Sequence, residues 1–168
     1  MKKLWLLLIP CAVIAGDQLF KAWIESSIEL NGAREFLPGL VRLIHVQNTG
    51  AAFGMLAGAR WFLMAVSCLA IIGAFYLVIK NHVRGLFGLI SIACVIGGAV
   101  GNLIDRVRQG FVVDMFEFEF INFAIFNIAD IFVSLGGVCM CVYLLFIYGR
   151  QKPAVTPAAR PDGEAGNA

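Results

Sequence analysis

Four runs of about twenty mostly apolar residues leave this chain few ways to fold. They extend from Leu4 to about Trp23, from Trp61 to Ile79, from Leu86 to about Ile104, and from Ile128 to Tyr148. An α-helix rises about 1.5 Å per residue, so about 20 such residues cross the ~30 Å hydrocarbon core of a bilayer. Within lipid the backbone must satisfy its own hydrogen bonds, and a helix is the way a single segment of this length does so. The expected class is membrane α-helical, with four transmembrane helices. Charged residues are only 14% of the chain, whereas a soluble domain carries about 25%. With 168 residues there is room for one bundle, placed at residues 1–148. From Gly149 onward the chain holds three of its five prolines and lacks an apolar face, so 149–168 reads as a disordered tail.

The first run has a second reading, because Lys2-Lys3 before an apolar stretch also opens a cleavable signal peptide. Ala12 and Ala15 give only a weak cleavage pattern and the run stays apolar to Phe20, which favours a retained helix. Lys2, Lys3, Lys80, Arg84, Arg150 and Lys152 flank the spans on one side, and basic flanks mark the cytoplasmic side. Arg34, Arg42, Arg60, Arg106 and Arg108 fall on the other side. The short basic link from Lys80 to Gly85 decides the matter. Both termini are expected inside, with loops at about 25–60 and 105–127 outside.

Several function classes are disfavoured early. A net charge of +2 is too small to argue for nucleic acid. Cys11, Cys68, Cys94, Cys139 and Cys141 all lie within apolar runs and show no CxxC or Cys/His spacing, so they read as small apolar filler. Neither His45 nor His82 has a second plausible ligand near it, so no metal and no cofactor are expected.

The outer segments carry the information. Residues 36–46 alternate imperfectly after a Pro38-Gly39 turn, which suggests a strand or hairpin at the membrane surface. Asn48 to Gly54 clusters small residues around Phe53, and Phe111 to Phe123 is an aromatic-rich strand or lip. Asp114 and Asp130 sit 16 residues apart, near outer ends of apolar runs. Ionisable groups at membrane depth are expensive and are kept mainly where they pair or do chemistry. Two carboxylates brought close can share one proton, which gives an acid and a base in one site. Asn102 and Arg106 are four apart, Asn127 and Asp130 three apart, and Asp17 and Lys21 four apart, so each pair shares a helix face. Gly97 and Gly101 permit close helix approach.

Each of these residues also has a plainer reading. Asp17 with Lys21 fits an ion pair that eases insertion as well as a site. Arg106 fits snorkelling to lipid phosphates, and Asn102 and Asn127 fit interhelical hydrogen bonding. Glu117 and Glu119 read as solvated loop carboxylates. Spacing alone leaves Asp114 and Asp130 open between catalysis and proton-coupled transport. Inverted repeats or helices broken at midplane would favour a carrier, and the sequence shows neither. A non-catalytic assembly factor held together by glycine packing is a weaker third option.

Five blocks then carry a resemblance. Asp17-Gln18, Asn48 to Gly54, Gly97 to Arg106, Val112 to Phe116 and Phe126 to Asp130 resemble, in order, the signature blocks of bacterial lipoprotein signal peptidase (signal peptidase II). The resemblance covers about residues 1–148. It implies an aspartic endopeptidase of the bacterial inner membrane that needs no cofactor and acts on the periplasmic side. Its substrates would be prolipoproteins bearing a diacylglyceryl-modified cysteine, cut just before that cysteine. Its other partners would be membrane lipids, and the expected form is a monomer. By motif, Asp114 and Asp130 would be the catalytic pair, while Asp17, Asn48, Asn102, Arg106 and Asn127 would bind substrate. The resemblance also implies four helices beneath a small extracytoplasmic β-cradle with a short surface helix. Residues 36–46 are the cradle candidate.

Overall fold

The computed structural model of the chain describes residues 6–151. The expected tail falls almost wholly outside the described residues, as do Lys2, Lys3 and Lys152 used above for orientation. The chain runs α1 (Leu8–Ser27), β1 (Ala33–Leu37), β2 (Val41–Asn48), α2 (Arg60–Ile79), α3 (Gly85–Arg108), β3 (Val112–Phe118) and α4 (Ile128–Val142). A π-helical turn, Tyr143–Ile147, and a 3-10 turn, Tyr148–Gln151, prolong α4.

Among the described residues three helical stretches are long and apolar enough to cross a membrane, namely α2, α3 and Ile128–Ile147. The fourth expected span, α1, has the length but not the composition, because it carries Asp17, Lys21 and Glu25. Asp17 and Lys21 are buried against the bundle, while Leu8, Leu19 and Trp23 are exposed apolar side chains on the same helix. The helix also runs past Trp23 to Ser27, because Ile24, fully buried, packs against the sheet.

Helix α3 is the hub on which α1, α2 and α4 pack. Its glycines make this possible. A Cβ on Gly97 would lie 2.9 Å from Val13 Cβ of α1, and one on Gly98 would meet the Ala129 carbonyl and Val133 of α4. Ala74, Val83, Leu89, Ile92, Ile96 and Tyr143 close the core at the end of the bundle where α2 turns into α3.

The opposite end carries a three-stranded antiparallel sheet in the order β1-β2-β3. Pro38 and Gly39 make the β1–β2 turn: the Leu40 N–H donates to the Leu37 carbonyl (3.0 Å) and Gly39 has φ +74°. That is the type II turn, in which proline pre-sets the first central residue and glycine takes the left-handed second. The hairpin is therefore longer than the expected 36–46 but centred on it. The Phe-rich stretch supplies β3, pairing Asn48 with Val112 and Val46 with Asp114. A second core of Ile24, Ile28, Leu43, Val113 and Met115 fastens the sheet to the end of α1. Between β2 and α2 the helical content is one 3-10 turn, Ala52–Gly54, with Phe53 in the left-handed region at φ +57°.

Candidate active site

Asp114 and Asp130 come from different parts of the fold and meet at one cavity of about 510 Å³. Asp114 sits in β3 and is 2% exposed. Asp130 sits in the first turn of α4, where the preceding loop turns inward. Asn48, Asn102 and Arg106 supply further polar lining from the end of β2 and the last turns of α3, and Ser134 adds a hydroxyl from α4. Phe118, Phe123 and Phe126 form an apolar wall, with ring centroids 5.2 to 6.2 Å apart. Phe53 meets Phe123 edge-on at 5.9 Å. Ile131 and Leu135 extend the lining along α4, and Leu135 is exposed on the outside of the bundle.

Asn127 joins the two carboxylates. It is the N-cap of α4, and its Oδ1 accepts from the Asp130 N–H (2.8 Å) while Asp130 Oδ2 accepts from the Asn127 N–H (3.2 Å). This reciprocal capping box satisfies two donors that a helix start leaves open. The Asn127 Nδ2 donates in turn to Asp114 Oδ1 at 2.6 Å and to Asn102 Oδ1 at 3.1 Å. Asn48 Nδ2 donates to Asp114 Oδ2 (2.8 Å), and Asn102 Nδ2 donates to Asp130 Oδ1 (2.7 Å). Each carboxylate thus accepts two amide hydrogen bonds, which leaves acceptor capacity for a proton and a water.

Burial and the nearby charge of Asp130 push the Asp114 carboxyl up to about 7, against the donors Asn48 and Asn127 and the charge of Lys21. A carboxyl that gains or loses a proton near neutrality suits general acid–base work.

Behind the cavity lies a second polar cluster. Lys21 Nζ is 2.7 Å from Asp17 Oδ2, 2.7 Å from Asp105 Oδ2, and donates to Asn102 Oδ1 at 3.0 Å. Asp17 Oδ1 accepts from the Ala129 N–H of α4 (2.9 Å), and Gln18 Nε2 donates to Asp105 Oδ1 (2.7 Å).

Of the seven residues assigned to the site from the sequence, five line the cavity: Asn48, Asn102, Arg106, Asp114 and Asp130. Asn127 and Asp17 are fully buried behind it. Arg106 is half-buried and donates to the Gly50 carbonyl (3.0 Å), which ties α3 to the loop after β2. Two readings need revision. Glu117 is not a solvated loop carboxylate: it lies in β3 and pairs with Arg42 at 2.7 Å, while Glu119, though exposed, accepts from the Gly39 N–H. Asp105 was missed, although its place three residues after Asn102 already put both on one face of α3. Among the described residues no group of three or more His, Cys, Asp or Glu is arranged to hold a metal ion.

Comparison with known proteins agrees with the five sequence blocks. The profile of the family described as signal peptidase (SPase) II matches residues 9–146. Lipoprotein signal peptidase of Streptococcus agalactiae serotype V is 41% identical over 145 residues, covering 86% of this chain and 94% of that protein. Its namesake in Lactococcus lactis subsp. lactis is 41% identical over 145 residues, covering 86% and 96%. A solved bacterial membrane enzyme at 2.3 Å resolution superposes with a TM-score of 0.82 at 32% identity, covering 88% of this chain and 91% of that one. A second, at 1.9 Å resolution, gives 0.78 at 32% identity, covering 84% and 93%. The chain belongs to the signal peptidase II family of membrane peptidases.

Proposed function

We propose that this chain is an aspartic endopeptidase that removes signal peptides from diacylglyceryl-modified prolipoproteins, cutting just before the lipidated cysteine. The observation that carries the reading is the convergence of Asp114 and Asp130 on one apolar-walled cavity, each held by amide donors. In this mechanism the deprotonated aspartate takes a proton from a water as its oxygen attacks the scissile carbonyl carbon. The protonated partner gives its proton to the carbonyl oxygen, forming a neutral tetrahedral diol. Collapse of the diol breaks the C–N bond: the first aspartate gives the proton it took from water to the leaving amine, and a diol hydroxyl gives its proton to the second carboxylate, leaving a carboxylic acid and the starting dyad. Asn48, Asn102 and Arg106 hold the substrate backbone, since orientation and fixed dipoles supply much of an enzyme's rate. Asn127 and Asp17 act one layer behind, through Asp114 and the start of α4.

The same reading makes α1 the fourth span. Its buried charges are matched within the bundle by Lys21–Asp17 and Lys21–Asp105 pairs, and its outward residues are apolar as far as Trp23, with exposed Glu25 in the last turns beside the sheet. Both termini then face the cytoplasm and the sheet faces the periplasm of a bacterial inner membrane. Residues 1–148 act as one domain, as a monomer, with the tail dispensable. The exposed Leu135 beside the cavity gives the substrate a lateral way in from the lipid.

The test is cleavage of one purified lipidated prolipoprotein in detergent, read as a gel mobility shift. Asp114→Asn and Asp130→Asn each abolish processing, while Glu117→Gln keeps it. Substantial cleavage by either aspartate variant would sink the assignment.

A further inference from the structure

We propose that Lys21 is a positioning residue for Asp130, acting through the side-chain amide of Asn102. The inference rests on the peptidase reading and adds to it a residue that touches neither cavity nor substrate. Lys21 is 3% exposed, and its ammonium has three protons and three acceptors: Asp17 Oδ2 at 2.7 Å, Asp105 Oδ2 at 2.7 Å and Asn102 Oδ1 at 3.0 Å. The two carboxylates come from α1 and α3, so the ammonium is fixed in space by both helices. Its remaining proton can point only at Asn102.

That contact settles which end of the Asn102 amide faces which neighbour. The oxygen faces two donors, Lys21 Nζ and, at 3.1 Å, Asn127 Nδ2. The NH2 end faces Asp130 Oδ1 at 2.7 Å. A rotated amide would set NH2 against an ammonium and a second amide NH2, and would turn its oxygen toward a carboxylate. Both contacts would be repulsive, and both buried donors would lose their acceptor. Without Lys21 the oxygen end is left with Asn127 as its one donor, and Asn127 Nδ2 is already shared with Asp114 Oδ1. Lys21 therefore makes Asn102 a one-way donor, and a one-way donor holds Asp130 in the rotamer that faces the cavity. The same ammonium fixes Asp17, whose other oxygen accepts from the Ala129 N–H in the first turn of α4. Asp130 is thus held at its side chain and, through Ala129, at its backbone.

The test must part positioning from mere stability, because Lys21→Met alone strands two buried carboxylates. Asp17→Asn/Asp105→Asn serves as the neutralised background, since the one oxygen left at position 17 can still accept from Ala129 and the one left at position 105 from Lys21. In that background Lys21→Met is compared with Lys21→Gln, whose amide can still donate to Asn102. Rates are measured per folded enzyme, with the folded fraction taken from size-exclusion recovery in detergent. Misplacement of a catalytic group by about 1 Å costs up to about 100-fold. The expected result is a kcat about 10- to 100-fold below the background for Lys21→Met, a partial recovery for Lys21→Gln, and a KM within about twofold. If the neutralised background folds poorly, the same Met-to-Gln comparison in the native sequence reads the same difference. Equal kcat for Lys21→Met and its parent, or equally slow Met and Gln variants, overturns the proposal. A wild-type enzyme that leaves the lipidated substrate intact overturns the peptidase reading instead.

Discussion

Replacing Asp114 by Asn separates the cost of keeping a carboxylate in this cavity from the use made of it. The carboxyl is held at about 7, against an ordinary 3.8, so the folded protein binds its proton more tightly than the unfolded chain does. A raised carboxyl pKa means that native stability is greatest below about pH 4, falls as pH climbs toward 7, and is level beyond that. The shift of about three units sets a ceiling of ~4 kcal/mol at about 1.4 kcal/mol per unit. Asparagine is neutral throughout, so the variant escapes that loss. It offers one acceptor oxygen where Asn48 and Asn127 both donate, however, which takes back ~1 to 2 kcal/mol. Asp114→Asn is therefore expected to be more stable than wild type by ~2 to 3 kcal/mol at pH 8. The advantage shrinks through pH 6 and reverses slightly near pH 4. Thermal unfolding of both proteins in one detergent at pH 5, 6.5 and 8 measures it. A difference that does not change with pH would refute the argument, and so would a variant less stable at pH 8. In an Asp130→Asn background the pH dependence should move to lower pH, because the charge of Asp130 is part of what raises Asp114.

Gly98→Ala puts a methyl against the Ala129 carbonyl and within 2.7 Å of Val133 Cγ2, so it should part α3 from α4 and cost ~1 to 3 kcal/mol with a loss of cleavage; Gly137→Ala, which meets nothing within 4 Å, should be neutral in the same melting assay. Asn127→Ala removes the α4 cap, worth ~1 kcal/mol, and leaves buried Asp114 Oδ1 short of a donor, so denaturation should show a loss of ~2 to 4 kcal/mol and processing should fall at least about tenfold. A prolipoprotein without its diacylglyceryl group should be cut far more slowly than the lipidated form, because the cavity wall is Phe118, Phe123 and Phe126; equal rates would remove lateral entry from the mechanism.

Much of the fold was legible because its signals are local. Apolar run length found α2, α3 and α4, and Pro38-Gly39 found the hairpin. Helical spacing placed Asn102 and Arg106 on one face, and both line the cavity. What the sequence hid was long-range pairing. Lys21 reads as a partner of Asp17 four residues earlier, and nothing local announces that Asp105, 84 residues on, competes for the same ammonium. Glu117 looked solvated because its partner Arg42 lies on another strand, 75 residues away. The Asn127–Asp130 box was within reach: a capping side chain followed three residues later by an acid marks a helix start. A shared helix face captured only half of its meaning.

Asp114 and Asp130 belong to two differently anchored bodies. Asp130 belongs to a helix whose continuation, Ile128–Ile147, is apolar enough to follow the bilayer, while Asp114 rides on a sheet clamped to the end of α1 by Ile24, Leu43 and Met115. Helices answer a change in hydrocarbon thickness by tilting, and on the peptidase reading α1, which carries the sheet, and α4 each do so. Unequal tilts would load the Asn127 contacts that join Asp114 to the start of α4. On the peptidase reading, acyl-chain length becomes a determinant of turnover even when the substrate is unchanged.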